Sequence, residues 1–240
     1  MKKLIFIAIS MVTFNVNGQS LTIQYEERAN IENQLKNVTD PETRKRVSAH
    51  LSKASNYLLY YEDGTSLYFQ ELKKDNTRNL NLLEDTETKK VEIGKDAGGV
   101  YKNHNTKEYL HEADLLGKKF LVMDELKKYD WELVEEYKTI GTYQVRKATA
   151  IINGEDVIAW YTLDIPIQDG PKDYYGLPGL IIELIGEKKT YHAVKVSKNK
   201  SKISITKPTK GQKINRENYN KTLNEKLNEL KQGIGNSLIQ

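Results

Sequence analysis

Hydrophobic positions in this chain recur mainly at every second residue. Leu21, Ile23 and Tyr25 alternate with Thr22, Gln24 and Glu26, the signature of a half-buried strand. Residues 56–72 place Asp63-Gly64 between two aromatic-rich runs, which predicts a hairpin whose turn needs positive φ. A second hairpin is predicted over 100–114, turning at His104-Asn105. Strands follow over 118–126 and 131–140, joined by residues 127–130. Residues 143–152 and 157–167 form a longer pair around 153–156, with Asn153-Gly154 at its tip. Pro166 and Pro171 are expected to end the second of these strands, because proline cannot donate to an interior ladder. One more strand is expected over 190–198.

Two segments break the alternation. Within 30–55, Asp40-Pro41-Glu42 reads as a helix start, and Val47, Leu51 and Ala54 fall at helical spacing over 41–54. Residues 215–232 set Tyr219, Leu223, Leu227 and Leu230 on one thin stripe of a helix. Residues 73–99 are charged and aperiodic, which predicts a loop or insertion. No internal repeat is present. The expected fold is mainly β: a single curved antiparallel sheet or half-barrel, with one short helix in the N-terminal half and one C-terminal helix. Alternating strand–helix units, and so a parallel α/β fold, do not fit.

The densest apolar writing lies in 173–189, DYYGLPGLIIELIGEKK. Pro178 presets φ near −65° and Gly179 tolerates positive φ, which together predict a type II turn, with Gly176 as a second bend. Leu180 to Ile185 is apolar on both sides except at Glu183, as in a central strand covered on both faces. Glu183 is expected either to pair with a lysine or to contact a ligand from an apolar groove. Tyr174 and Tyr175, just before the turn, suit either core or binding lip.

The N-terminus changes the picture of location. Lys2 and Lys3 precede an apolar run over 4–14, and Val16 and Gly18 suit a peptidase site before Gln19. The run is too short to span a bilayer, which needs roughly 20 residues. Residues 1–18 are therefore expected to be a secretory signal, and 19–240 one β domain, periplasmic or secreted. The chain has 0 cysteines, which excludes disulfides, thiolate catalysis and cysteine-ligated zinc, and leaves no lipoprotein attachment point. The formal charge of +4 includes Lys2 and Lys3, and so small a surplus argues against nucleic acid.

Several pieces then fall in order: Lys147-Ala148, Trp160-Tyr161-Thr162, Ile165-Pro166-Ile167, Gly170-Pro171, and Gly176 to Ile181. Over residues 143–185 this closely resembles the signature of the GLPGLI family of exported proteins typical of Bacteroidota. The resemblance implies an exported location and a shared β architecture, and no particular activity. Many members carry a cysteine before Lys147-Ala148; Val145 stands there in this chain, so any role of that cysteine does not carry over. The expected half-barrel is also similar in general layout to periplasmic lipoprotein carriers, a likeness of fold that does not transmit function.

Catalytic signatures are sparse. His50, His104, His111 and His192 show no metal-binding spacing, there is no Gly-x-Ser-x-Gly, and Asp169-Gly170-Pro171 reads as a turn. No cofactor and no metal are implied. The aromatic set Tyr57, Tyr60, Tyr61, Tyr68, Phe69, Trp131, Trp160 and Tyr161 suits either a core or a concave face for peptide, lipid or glycan. The leading expectation is a non-catalytic carrier of an apolar, peptide-like or lipid ligand. Its site would be built from Trp160, Tyr161, Tyr174, Tyr175, Leu177 and Glu183, with Gly176, Pro178 and Gly179 as the structural turn. An accessory subunit docking on an outer-membrane protein is the alternative, and a hydrolase a third.

Overall fold

The computed structural model describes residues 19–71, 84–85, 88–91 and 98–237. The expected signal segment lies outside them, as does most of 73–99. In chain order the elements begin with β1 (Ser20–Ala29), α1 (Ile31–Gln34), α2 (Pro41–Leu51), β2 (Ser55–Glu62), β3 (Thr65–Gln70), β4 (Glu84–Asp85) and β5 (Thr88–Val91). They continue with β6 (Gly99–Asn103), β7 (Glu108–Leu115), β8 (Lys118–Glu125), β9 (Glu132–Ile140), β10 (Tyr143–Ile152) and β11 (Glu155–Thr162). The last are β12 (Leu180–Ile185), β13 (Lys189–Lys198), β14 (Lys202–Ile205), β15 (Gln212–Asn215) and α3 (Arg216–Ser237).

Twelve strands form one sheet in the order β15-β8-β7-β6-β3-β2-β1-β13-β12-β11-β10-β9. All its pairings are antiparallel except β15 with β8, so the sheet is mixed at one edge. The expected turns are present: Asp63 and Gly64 have φ 45° and 82°, and Asn153 and Gly154 have φ 55° and 80°. Asp40 caps α2 as its sequence suggests, accepting from the Thr43 amide at 2.7 Å.

Four expectations change. β11 stops at Thr162, before Pro166, and residues 163–179 contain no strand. The segment 73–99 is not wholly loop, since β4 and β5 join β14 in a small second sheet. β14 and β15 are further strands that alternation did not reveal. The stripe on α3 packs only at its start: Tyr219 meets Phe120 at 5.7 Å, while Leu227 and Leu230 are exposed.

The large sheet is curled. β8 and β9 lie ten inter-strand steps apart, which is about 48 Å in a flat sheet. The chain from Glu125 to Glu132 can reach at most about 25 Å, so the two ends of the sheet must approach one another. The main core buries Leu21, Ile23, Tyr25, Leu59, Tyr68 and Val100, on the inner face of β1, β2, β3 and β6, together with Val145, Tyr161, Leu180 and Ile181. The outer face near β2, β3 and β6 buries Leu58, Tyr60, Phe69 and Tyr101 under Val91 and Ile203 of the small sheet. β12 is central, with β11 and β13 on either side, and a bulge opposite Trp160/Tyr161 helps seat its apolar run.

Candidate functional site

Residues 163–179, between β11 and β12, lie against the inner face and reach β6 and β7, well beyond the strands that flank them. What holds them there is buried charge. Lys102 on β6 and Asp169 are both 0% exposed and pair at 2.5 Å. The Lys102 ammonium also donates to the carbonyls of Gly170 and Lys172, each at 2.9 Å. Its three donors thus have three partners. Asp169 in turn accepts from the Gly170 amide at 2.7 Å and meets His104 Nε2 at 3.3 Å. Burial alone would raise the Asp169 pKa, but the Lys102 charge and the His104 contact outweigh it and hold the carboxyl well below its usual range.

A second polar cluster lies beside the first. Tyr109, the cross-strand partner of Lys102, donates to Asp173. Tyr129 donates to the Asp173 carbonyl at 3.1 Å and Trp131 to the Tyr175 carbonyl at 2.9 Å, so the short β8–β9 connection grips the same segment. Arg216, the first residue of α3, lies over the Tyr109 ring at 3.8 Å and pairs with Asp124 at 2.9 Å. Burial would again raise the Asp173 pKa, and His111, Lys172, the Tyr109 hydroxyl and Arg216 together lower it.

These buried groups make the fold sensitive to acid. Burial lowers the His111 pKa; Asp173 opposes that shift, and Lys172 and Arg216 add to it. The unfolded imidazole therefore takes up a proton first, and stability falls as pH drops through about 6.5. Asp169 and Asp173 add to the loss at lower pH, because their stabilisation is complete above about 3.9 and drains away below it. The urea midpoint should fall between about pH 8 and about pH 5, and His111→Gln should flatten that decline. An unchanged slope in the variant would assign it to other groups.

Between this segment and the ends of β1, β2, β3 and β6 lies a cavity of about 230 Å³. Its wall includes Glu27, Tyr57, Tyr68, His111, Lys172 and Lys189. Tyr57 and Tyr68 stack, with ring centres 5.0 Å apart and planes within 2°. Glu27 is buried and accepts from Lys189. The Tyr68 hydroxyl is buried with no hydrogen-bond partner among the described residues. Burial, ahead of the nearby Glu27 charge, raises the Tyr57 pKa to about 12, and burial raises Tyr68 further still. Both hydroxyls are therefore protonated donors at neutral pH.

The residues singled out from sequence are placed differently. Trp160, Tyr161, Tyr175 and Leu177 are buried. Trp160 lies beneath Lys138, whose ammonium is 4.2 Å from the ring centre, and Lys138 pairs with Glu183. Glu183 is also the cross-strand partner of Trp160, so these three residues form one ion-paired group around β9, β11 and β12. Tyr175 packs on Tyr129 at 4.9 Å and Tyr174 on Tyr191 at 5.8 Å. The structure brings Trp160 and Glu183 together, and does not gather them with Tyr174 and Tyr175 around one opening.

The turn is real but its chemistry differs. Gly176 has φ +95°, whereas Gly179 is not among the positive-φ glycines, so the expected type II geometry at Pro178-Gly179 is corrected. Gly179 is needed because a Cβ there would sit 1.9 Å from the Thr162 carbonyl oxygen.

Residues 152–183 match a family model described as a protein of unknown function (Porph_ging). The match spans the segment 163–179, β11 and the start of β12, the part of the chain where the resemblance to an exported Bacteroidota family also lies. No curated protein matches the chain. Solved structures of PNGF-II are similar: in a P21 space group with TM-score 0.51 and 17% identity over 85% of this chain and 33% of that one, and in a C2 space group with TM-score 0.49 and 17% identity over 78% and 31%. The chain thus spans about a third of the length of PNGF-II, and the likeness is one of fold.

Proposed function

We propose that the chain is an exported, non-catalytic binding protein of GLPGLI type, and that its ligand occupies the cavity walled by Glu27, Tyr57, Tyr68 and Lys172. The observation that carries this reading is the cavity itself, whose wall sets the stacked rings of Tyr57 and Tyr68 beside Glu27, His111 and Lys172. The Tyr68 hydroxyl lies buried and unpartnered behind that wall, at a cost of about 1–3 kcal/mol that a ligand recovers when the ring turns its hydroxyl toward the cavity. The cavity lies at or below the small end of the usual ligand-pocket range, and its wall is polar. The occupant is therefore small and polar, which moves the site away from the apolar ligand that the aromatic content suggested.

Tyr68→Phe separates this reading from a merely structural one. The ligand-free variant should be as stable as the parent or up to about 1 kcal/mol more stable, while ligand retention falls. A destabilised ligand-free variant would show that the hydroxyl serves the fold and would remove the support for the site.

A docking role is favoured by a different observation. Leu133, Tyr137 and Ile151 on β9 and β10 are strongly exposed at one edge of the sheet. Exposed apolar side chains beside an unpaired edge are the features an accessory subunit uses to meet a partner. Loss of co-purification with a membrane protein on changing Tyr137 and Ile151 to serine would support that role.

A further inference from the structure

On the docking reading above, the free edge of the large sheet specifies the partner. β9 is hydrogen-bonded on one side only, to β10. Its nine residues leave a row of backbone donors and acceptors with no strand beside them among the described residues. The opposite edge is closed off: β15 has four residues and runs straight into α3, whose Tyr219 packs on Phe120. β9 contains no proline, and Leu133 and Tyr137 stand exposed on it.

An open groove of about 590 Å³ crosses the start of this edge. Asp130, Glu132 and Asp156 line it beside the exposed Ile151, and no lysine or arginine does. None of these carboxylates has an ion pair or a side-chain hydrogen bond among the described residues; the nearby cations Lys147 and Lys188 belong to Glu136 and Glu155. Beyond Asp156 the surface stays acidic, with Glu32 and Glu187 beside the single cation Lys36. This acidic surface stands on a chain whose formal charge is +4.

We infer that β9 takes up an extended segment of a partner protein in which lysine or arginine alternates with aliphatic residues. Glu132 and Leu133 are successive strand residues and point to opposite faces. A strand paired with them therefore meets carboxylates on one face and apolar surface on the other. Backbone pairing supplies the affinity and the alternate side chains supply the choice. A second copy of this chain does not fit. β9 holds three glutamates against one lysine, and full antiparallel pairing of two copies sets Glu136 opposite itself. Glu135 and Glu136 have no partner on β10 and form a bulge that blunts pairing between copies, while residues 132–134 and 137–140 stay in register with β10.

The test is an amide NMR titration of the purified protein with short synthetic peptides. One alternates lysine and valine, one is the same peptide N-methylated at every second residue, and one alternates glutamate and valine. The lysine peptide should bind saturably and shift the amides of Leu133 and Tyr137. N-methylation keeps the charge and removes the donors that face β9, and should weaken binding at least about tenfold. The glutamate peptide should not bind. Glu132→Gln combined with Asp156→Asn should weaken the lysine peptide at least about threefold, with an unchanged melting temperature. Equal binding of the N-methylated peptide would overturn the strand pairing, and equal binding of the glutamate peptide would overturn the charge assignment. A protein that dimerises through β9 without peptide would overturn the choice of partner. No saturable shift with any peptide would overturn the inference as a whole. The docking role would then stand only if serine at Tyr137 and Ile151 still abolishes co-purification with a membrane protein.

Discussion

Lys102→Met should destabilise the protein by about 3–5 kcal/mol. The lysine is wholly buried and is the principal partner of an equally buried carboxylate. Removing it leaves the Asp169 charge in a low-dielectric interior with only the Gly170 amide and the half-open contact to His104. It also strips the carbonyls of Gly170 and Lys172 of their donor. The carboxyl would then regain a pKa raised by burial, and the variant would be less sensitive to acid than the parent. Asp169→Asn in the same background should restore part of the loss, because a neutral amide carries no stranded charge. Urea unfolding of the two single variants and the double variant measures the coupling. A Lys102→Met variant within about 1 kcal/mol of the parent would mean that water reaches Asp169 and that the segment 163–179 is held by packing alone.

The second large effect concerns two glycines in one hexapeptide. Gly179→Ala should cost more than about 4 kcal/mol. Its new Cβ would lie 1.9 Å from the Thr162 oxygen and 2.7 Å from the Thr162 carbon, and both are backbone atoms of β11 that cannot swing aside. Relief would require parting the segment from β11 where β12 begins. Gly176→Ala, only three residues earlier, meets nothing nearer than 3.8 Å. Its cost is conformational, from φ +95°, and should be about 1–3 kcal/mol. A type II turn centred on Pro178-Gly179 would place the conformational penalty at Gly179 instead. Thermal melts of the two variants decide between these accounts, and equal small losses would contradict the close approach.

These glycines also show what a sequence can convey. The need for glycine at Gly176 and Gly179 is visible in the letters; the reason for it lies in a strand that passes close by. The hairpins at Asp63-Gly64 and Asn153-Gly154 were legible because those residue pairs favour positive φ. Leu116-Gly117 makes a turn with φ 54° and 83°, and leucine at that place gives no such signal. The central, two-sided strand β12 was legible from an unbroken apolar run. β14 was not, although Lys202-Ile203-Ser204-Ile205 alternates, because four residues are too few to fix a period, and β15, polar except for Ile214, carries no alternation at all.

The site was harder to read for a related reason. Lys102 shares its face of β6 with Val100, so period two alone would turn a lysine toward the core, and a reader discounts that placement. Its partners are 68 and 70 residues away at Gly170 and Lys172. Asp169 read as a turn residue, His104 as the turn of a hairpin, and His111 as a histidine without metal-binding spacing. Glu27 continues the inward series of Leu21, Ile23 and Tyr25, and that register was the one local clue to a buried carboxylate. The aromatics drew the eye to Trp160 and Tyr161, which the curl of the sheet buries. Only long-range topology assembles Tyr68, Glu27, Lys172 and His111 around one cavity.

The most direct measurement is native mass spectrometry of the protein purified gently from its own host, beside Tyr68→Phe prepared in the same way. The account predicts a reproducible small adduct on the parent protein, of the few-heavy-atom size that the cavity admits, and its loss from the variant. A parent protein that is bare, or an adduct that survives in the variant, would contradict the assignment of this cavity as the binding site.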